Sequence, residues 1–125
     1  MGIIVAVLTI RLDPQIAPRS KSLSIPLLLM ALPILDTTIA VGSRILRGIS
    51  PFEGGRDHLS HRLIRIGVSR ELTAIILWSA AGVFGSLAVA IYHWPSTLGY
   101  PLMVSGAVAW IGLLIFFARI PSQDA

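Results

Sequence analysis

The chain has 125 residues, of which 54 % are hydrophobic and only 13 % are charged, and its mean hydropathy is +0.81. A soluble domain carries about 25 % charged residues because its surface must stay hydrated, and half that share cannot cover a globule of this size. The composition therefore predicts an integral membrane protein. The absence of cysteine excludes a disulfide framework, a thiolate nucleophile and a cysteine-based zinc site. A net charge of +4 is the bias that basic membrane loops produce, so we expect no nucleic-acid partner.

Four apolar runs predict how the chain crosses the lipid bilayer as an all-α, polytopic transmembrane helical bundle. The runs are residues 1–10, 22–43, 72–94 and 98–118, with a loop over residues 44–70. A spanning helix needs about 20 mostly apolar residues, so the last three runs are predicted as full transmembrane helices and the first as a truncated one. The last two contain no Asp, Glu, Lys or Arg, and the second contains one ionisable residue, Asp36. Pro26 and Pro33 are expected to kink the second run or to end its first turn.

The positions of the basic residues predict the orientation. Six of the ten lie in the loop over residues 44–70, and Arg119 follows the last span, whereas three lie between the first two runs. Cytoplasmic loops carry the excess of Arg and Lys, so the loop and the C-terminus are predicted to be cytoplasmic.

Membrane insertion does not explain Asp36, because a carboxylate at the centre of a membrane helix costs roughly 2.5–3.5 kcal/mol. It precedes Arg44 by eight residues, or about 12 Å along a helix, and is therefore nearer the cytoplasmic end than the midplane. Ser43 and Arg47 fall on its side of the helix. A site carboxylate and an aspartate that only bonds a neighbouring helix both remain open interpretations.

The loop predicts a short amphipathic helix at the membrane surface, with Asp57 as its N-cap and Gly67 at its end. Polar residues recur at i, i+3, i+4 and i+7, and apolar residues form another face. The polar residues are His58, His61, Arg62 and Arg65, and the apolar ones are Leu59, Leu63 and Ile66. Forked guanidinium donors and imidazoles suit a diphosphate. A weak two-histidine metal site and a basic helix that only holds anionic lipid headgroups remain open alternatives.

Five short motifs follow one another between residues 33 and 67. They are Pro33-Ile34-Leu35-Asp36-Thr37, Arg44 to Gly48, Ser50-Pro51-Phe52, Arg56-Asp57-His58-Leu59-Ser60-His61-Arg62-Leu63, and Gly67. In this order and at this spacing, the set resembles the polyprenyl-phosphate sugar-1-phosphate transferases, the bacterial membrane enzymes of glycosyltransferase family 4. The N-acetylglucosamine branch fits best. Leu59 and Ser60 separate the two histidines, so the triple-histidine form of the muramoyl branch is absent.

The resemblance implies a reaction in cell-wall or surface-polysaccharide synthesis. A polyprenyl (undecaprenyl) phosphate would accept N-acetylhexosamine-1-phosphate from a UDP-sugar and release UMP, with Mg²⁺ as cofactor. The resemblance also implies that the histidine motif contributes to the nucleotide-sugar site. The predicted catalytic residues are His58, His61 and Asp57, and the predicted substrate-binding residues are Arg56, Arg62 and Asp36. Arg62 is added because guanidinium groups bind phosphate, and Asp36 is expected to support the site.

The resemblance is incomplete, because the acidic motifs that hold Mg²⁺ in the family lie upstream of this region. The chain therefore resembles the C-terminal third of a larger or split enzyme of the bacterial inner membrane. We expect no Mg²⁺ ligands in it, no transferase activity from it alone, and a missing N-terminal portion as a partner. Two rival functions remain: a small transporter with Asp36 as its relay carboxylate, and a non-catalytic membrane scaffold. A transporter would depend on Asp36 and little on His58, and a transferase would show the reverse.

Overall fold

The computed structural model describes residues 19–50, 52 and 57–121, and within these ranges the backbone forms five helices and no strand. The helices are α1 (Arg19–Leu29), α2 (Ala31–Leu46), α3 (Leu59–Arg65), α4 (Arg70–His93) and α5 (Ser96–Arg119). The predicted all-α class is confirmed. The predicted truncated helix over residues 1–10 lies outside the described residues.

Among the described helices, α4 and α5 are each long and apolar enough to cross a membrane, over Arg70–His93 and Thr97–Arg119. Their large apolar side chains are mostly exposed, as in Trp78 and Val104. Apolar side chains on the outside of a helix are stable where they contact lipid rather than water. The bounds of these helices agree within two residues with the predicted runs 72–94 and 98–118, which contain no charged residue.

The third predicted span, residues 22–43, is not one straight helix. It is formed by α1 and α2, which meet at Met30 with a bend of 66°. Pro33 explains the break, because its nitrogen cannot donate to the Leu29 carbonyl and its ring collides with that carbonyl. The Met30 amide closes the last turn of α1, and the Met30 carbonyl accepts the first bond of α2. The segment is therefore a candidate span only as a bent pair.

Two clusters of buried apolar side chains hold the helices together. The first comprises Ile25, Leu28, Ala31, Phe84, Ala88 and Ile91, and the second comprises Leu35, Ile39, Leu59, Leu63, Phe117 and Ile120. Trp110 packs against both clusters, and its indole N–H donates to the Ala31 carbonyl beside the bend, at 2.9 Å. The second cluster seats α3 on α2 and on the end of α5, and it thereby positions the loop helix.

The short helix α3 ends at a glycine in the left-handed region. Gly67 has φ +96°. Its amide donates to the Ile64 carbonyl, and the Val68 amide donates to the Leu63 carbonyl, each at 3.1 Å. This is the Schellman pattern, which satisfies carbonyls that a helix end leaves without partners. The prediction that Gly67 ends the loop helix is confirmed.

Replacing Gly67 with alanine should lower the melting temperature of the protein in detergent, because a side chain in the left-handed region costs about 1–2 kcal/mol. Gly82→Ala is the matched control, since Gly82 lies inside α4 and a Cβ added at either glycine meets nothing within 4 Å. Equal melting temperatures for the two variants would contradict the role given to Gly67.

Candidate functional site

Asp57 is buried where the loop meets the end of α2, and two arginines of α2 bind its carboxylate. Arg44 Nε donates to Oδ2 at 2.8 Å, and Arg47 Nη2 donates to Oδ1 at 3.0 Å. Only 2 % of Asp57 is exposed. Burial by itself would raise the pKa of Asp57, but the hydrogen bonds and charges of the two arginines outweigh burial and hold this pKa below its ordinary value. An ionised Asp57 therefore fastens the loop to α2.

A second carboxylate, Asp36, joins α2 to the start of α3. Its Oδ2 lies 2.8 Å from His58 Nδ1, and its Oδ1 accepts the backbone N–H of Leu59 at 2.7 Å. A carboxylate oxygen accepts in such a contact, so Nδ1 of His58 carries the proton. The imidazole is 52 % exposed, and its Nε2 has no protein partner among the described residues. Nε2 can accept a hydrogen bond from a ligand, or donate one when the ring is protonated.

The structure corrects the prediction that Asp57 caps the loop helix. The helix α3 begins at Leu59, and its N-cap residue is His58, which has extended backbone angles and makes no side-chain cap bond. Asp36 accepts from the Leu59 amide in place of a local cap. Capping rules consider neighbours in sequence, and this partner lies 23 residues away. Because His58 precedes the helix, it does not share a helical face with His61.

Arg62 is buried, which corrects the prediction that it lies on an exposed polar face. Its Nε donates to the Asp57 carbonyl at 3.1 Å, and its Nη1 donates to the carbonyls of Phe117 and Ile120 at the end of α5. The last carbonyls of a helix have no intrahelical partner and favour a cation. Burial lowers the pKa of Arg62 and the charge of Asp57 opposes that shift, yet a guanidinium stays charged in proteins. Arg62 therefore ties α3 to α5.

The remaining predicted site residues do not lie together with the Asp36–His58 pair. His61 and Arg65 are exposed, and Arg65 Nη1 donates to the Pro121 carbonyl at 2.7 Å. His61 and Arg65 line a cavity beside α4, and His58 does not. Arg56 lies outside the described residues. The two histidines that the sequence could not rank thus have different surroundings, and within the described part of the chain only His58 of the two contacts a carboxylate.

The arginines at the end of α2 are site residues that the sequence analysis missed. Both arginines indicated the orientation and belong to the motif Arg44 to Gly48, and Arg47 was placed on the side of α2 that carries Asp36, but neither was predicted as a site residue. The signal was present in the sequence, since Asp57 is an acidic residue within a strongly basic loop. Its partners could not be chosen among six basic residues without the fold.

The described residues do not fit the Mg²⁺ that the resemblance implies. Within them, no three His, Cys, Asp or Glu side chains lie close enough together to hold a metal ion. The carboxylates nearest the loop are already bound, Asp57 by two guanidinium groups and Asp36 by an imidazole and an amide. These side chains therefore act through hydrogen bonds and charge, and no metal step is assigned to them.

Relatives of this chain share one activity by name. The chain is 36 % identical over 97 residues to the decaprenyl-phosphate N-acetylglucosaminephosphotransferase of Mycobacterium leprae, which covers 76 % of this chain and 24 % of that protein. It is 34 % identical over 90 residues to the protein of the same name from Mycolicibacterium smegmatis, and the alignment covers 68 % of this chain and 22 % of that protein. It is 29 % identical over 61 residues to the undecaprenyl-phosphate alpha-N-acetylglucosaminyl 1-phosphate transferase of Escherichia coli K12, and the alignment covers 49 % of this chain and 17 % of that protein. No protein-family profile matches the chain, and no solved structure matches it.

The chain is homologous to part of the polyprenyl-phosphate N-acetylglucosamine-1-phosphate transferases. This confirms the family that the motifs of residues 33–67 indicated, and its N-acetylglucosamine branch. The chain spans about a quarter of the length of the curated relatives that it matches. In this transferase homologue, the histidine motif is thus held to α2 by Asp36 and Asp57, and to α5 by Arg62.

Replacing Asp57 with asparagine should destabilise the protein by about 3 kcal/mol, because the charges of Arg44 and Arg47 would lose their buried counter-ion. The pH dependence should change as well. The pKa of Asp57 is lower in the folded than in the unfolded protein, so its stabilisation is complete above its ordinary pKa of 3.8 and is lost as the pH falls through the folded value.

The measurement is the melting temperature in detergent between neutral pH and about pH 3. The wild-type protein should lose stability at the acidic end, and Asp57→Asn should start lower and vary less with pH. Glu71→Gln is the control for loss of an exposed carboxylate: hydrogen bonds at the start of α4 also lower the pKa of Glu71, but this side chain is fully exposed and contacts neither Arg44 nor Arg47. If Asp57→Asn had the same melting temperature as the wild-type protein, the ion pairs of Asp57 would not hold the loop.

Proposed function

We propose that this chain is part of an enzyme that transfers N-acetylglucosamine-1-phosphate from UDP-N-acetylglucosamine to a polyprenyl phosphate. An oxygen of the lipid phosphate attacks the β-phosphorus of the nucleotide sugar and forms a new P–O bond. The bond from that phosphorus to the bridging oxygen breaks, and UMP leaves with the bonding electrons. The observation that carries this proposal is the Asp36–His58 contact, which holds the imidazole of a transferase motif in one orientation at the loop end of the helices.

Phosphoryl transfer depends mainly on positioning and on stabilisation of charge, so a correctly held polar side chain can matter without forming a covalent bond. Asp36 fixes the proton on Nδ1 of His58 and leaves Nε2 to contact the UDP-sugar. His61, in the first turn of α3, contributes a second imidazole to the nucleotide-sugar site from another side, since it lines the cavity beside α4 and His58 does not. Asp57 acts as a positioning residue through Arg44 and Arg47. Arg56 contributes a cation to the diphosphate in this proposal.

The membrane setting fits a reaction between a water-soluble nucleotide sugar and a lipid. We propose that α4, α5 and the bent pair of α1 and α2 cross the bacterial inner membrane, with the loop and the C-terminus in the cytoplasm. The excess of arginine in residues 44–70 supports this orientation. The Mg²⁺ that the resemblance implies would be held by residues other than those described. The names of the relatives give no support to a transporter or a scaffold.

Replacing His58 with alanine should lower the transfer of N-acetylglucosamine-1-phosphate by about 100-fold, the order of loss when one preorganised polar contact to a transition state is removed. The measurement is the incorporation of radiolabelled N-acetylglucosamine from UDP-N-acetylglucosamine into extractable lipid, with membranes that contain the complete gene product. His93→Ala is the matched control, because His93 is an exposed histidine at the other end of α4. Full activity of His58→Ala would contradict the proposed function.

A further inference from the structure

The bend between α1 and α2 is contacted on both sides by one turn of α5. Gly106 of α5 is buried against α1, and a Cβ added to it would lie 2.9 Å from Cδ2 of Leu28. Trp110, one turn further along α5, lies against α2, where its indole N–H donates to the Ala31 carbonyl at 2.9 Å. Leu28 and Ala31 flank Met30, at which the chain bends by 66°. The turn of α5 therefore holds the chain just before and just after its bend.

The hydrogen bond from Trp110 acts where the helix is weakest. Pro33 has no N–H, so one of the bonds that would join α1 to α2 cannot form. The Ala31 carbonyl belongs to a residue that is only 3 % exposed, and a hydrogen bond is stronger where water is excluded. The ring of Trp110 also packs against both apolar clusters. Trp110 thus restrains the bend by a directed bond as well as by packing.

The helix α5 positions both partners of the Asp36–His58 contact. His58 directly precedes α3, which Arg62 ties to the carbonyls at the end of α5. Asp36 lies five residues after Ala31 in α2, which Trp110 ties to the middle of α5. The distance of 2.8 Å between Asp36 Oδ2 and His58 Nδ1 therefore depends on the angle at which α2 leaves the bend.

A small change in this angle would break the contact. Five residues of helix between Ala31 and Asp36 span about 7.5 Å, so a rotation of about 10° at the bend moves Asp36 by about 1.3 Å. A hydrogen bond of 2.8 Å does not survive a shift of this size away from His58. A displacement of about 1 Å, caused far from the reacting atoms, can lower a rate by about 100-fold. The angle of the bend must therefore be held closely for the pair to form.

We propose that Trp110 is a positioning residue for the transfer reaction and that it acts on the Asp36–His58 pair through the bend. Its indole N–H fixes Ala31, and together with Gly106 it sets the angle at which α2 brings Asp36 to His58. Trp110 itself contacts no substrate in this proposal. The inference rests on the proposed function, because the reaction in which Trp110 has this role is the one proposed above.

The first test is the tautomer of His58, measured by NMR of isotope-labelled histidine in the full chain in detergent at about pH 8, where an ordinary imidazole is neutral. The chain has three histidines, so single-residue variants assign each signal. The wild-type ring should carry its proton on Nδ1, because Asp36 accepts it. Asp36→Ala gives the reference without this acceptor.

Trp110→Phe keeps an aromatic ring and removes the N–H, and it should shift the His58 tautomer toward the Asp36→Ala reference. A merely structural role would lower the amount of folded protein, and the molecules that remain folded would keep the wild-type tautomer. A wild-type tautomer in Trp110→Phe would therefore overturn the inference, whatever its melting temperature.

The second test is the transfer rate in membranes that contain the complete gene product. Trp110→Phe should lower this rate at least about fivefold, the factor that one hydrogen bond contributes to an equilibrium. If the tautomer shifted and His58→Ala were inactive, full transfer by Trp110→Phe would overturn the role of Trp110 in the reaction. Full transfer by His58→Ala would overturn the proposed function itself, and with it that role, so the two failures are distinguishable.

Gly106→Ala should shift the tautomer and lower the rate as Trp110→Phe does, because its Cβ displaces Leu28, which is buried in the first apolar cluster. Gly112→Ala is its matched control, since a Cβ on Gly112 of the same helix meets nothing within 4 Å. Trp78→Phe is the control for Trp110→Phe, because Trp78 is 79 % exposed on α4. Equal shifts of the His58 tautomer in the controls would overturn the inference.

Discussion

The contact between ionised Asp57 and the two arginines of α2 is the constraint on which the loop depends. The helix α3 has seven residues, and a helix this short is not stable in water without contacts from outside. Asp57 fixes the chain just before it, Asp36 binds its first amide, and Arg62 ties it to the last carbonyls of α5. The short helix is therefore placed by its partners and hardly at all by its own propensity.

An apolar cluster lies beside the buried contacts of Arg62, which donates to the carbonyls of two cluster members, Phe117 and Ile120, whereas the Asp36–His58 contact is partly exposed. Leu35 and Ile39 of α2 pack against Leu59 and Leu63 of α3, next to the carboxylate of Asp36 on the same helix. Exclusion of water strengthens hydrogen bonds and ion pairs, and it makes an unpaired group correspondingly costly. The helix α2 thus supplies both the apolar packing and the charged partners of the loop. The 52 % exposure of His58 then leaves one ring nitrogen for a ligand.

The features of the fold that depend on residues close together in the chain were predictable from the sequence. The spans over residues 72–94 and 98–118 followed from uninterrupted apolar runs, and the end of α3 followed from Gly67, because only a residue without a Cβ takes that conformation without strain. The family followed from motifs that are linear in sequence. The bend at Met30 was harder to predict, since Pro26 and Pro33 both offered a break and only the structure shows that α1 continues through Pro26 and ends before Pro33.

The candidate site was less predictable because its partners are distant in sequence. Asp57 fits the local rule for an N-cap, yet two guanidinium groups, one buried and one half-buried, bind it more strongly than a single helix amide would. Arg62 falls on the polar side of α3 by periodicity, and the free carbonyls at the end of α5, more than 50 residues away, draw it inward. Helical periodicity identifies a polar face, but it cannot say whether that face meets solvent or another helix.

The most direct test of the account is a double-mutant cycle between Asp36 and His58 in the complete gene product. The central claim is that Asp36 acts on sugar-phosphate transfer through His58 by holding its ring. The transfer rates of the wild-type protein, Asp36→Asn, His58→Ala and the double variant would be measured under identical conditions. The account predicts that Asp36→Asn costs little or nothing further once His58 is absent, because the two residues form one unit. Losses that multiply independently would contradict it, since Asp36 would then act without His58.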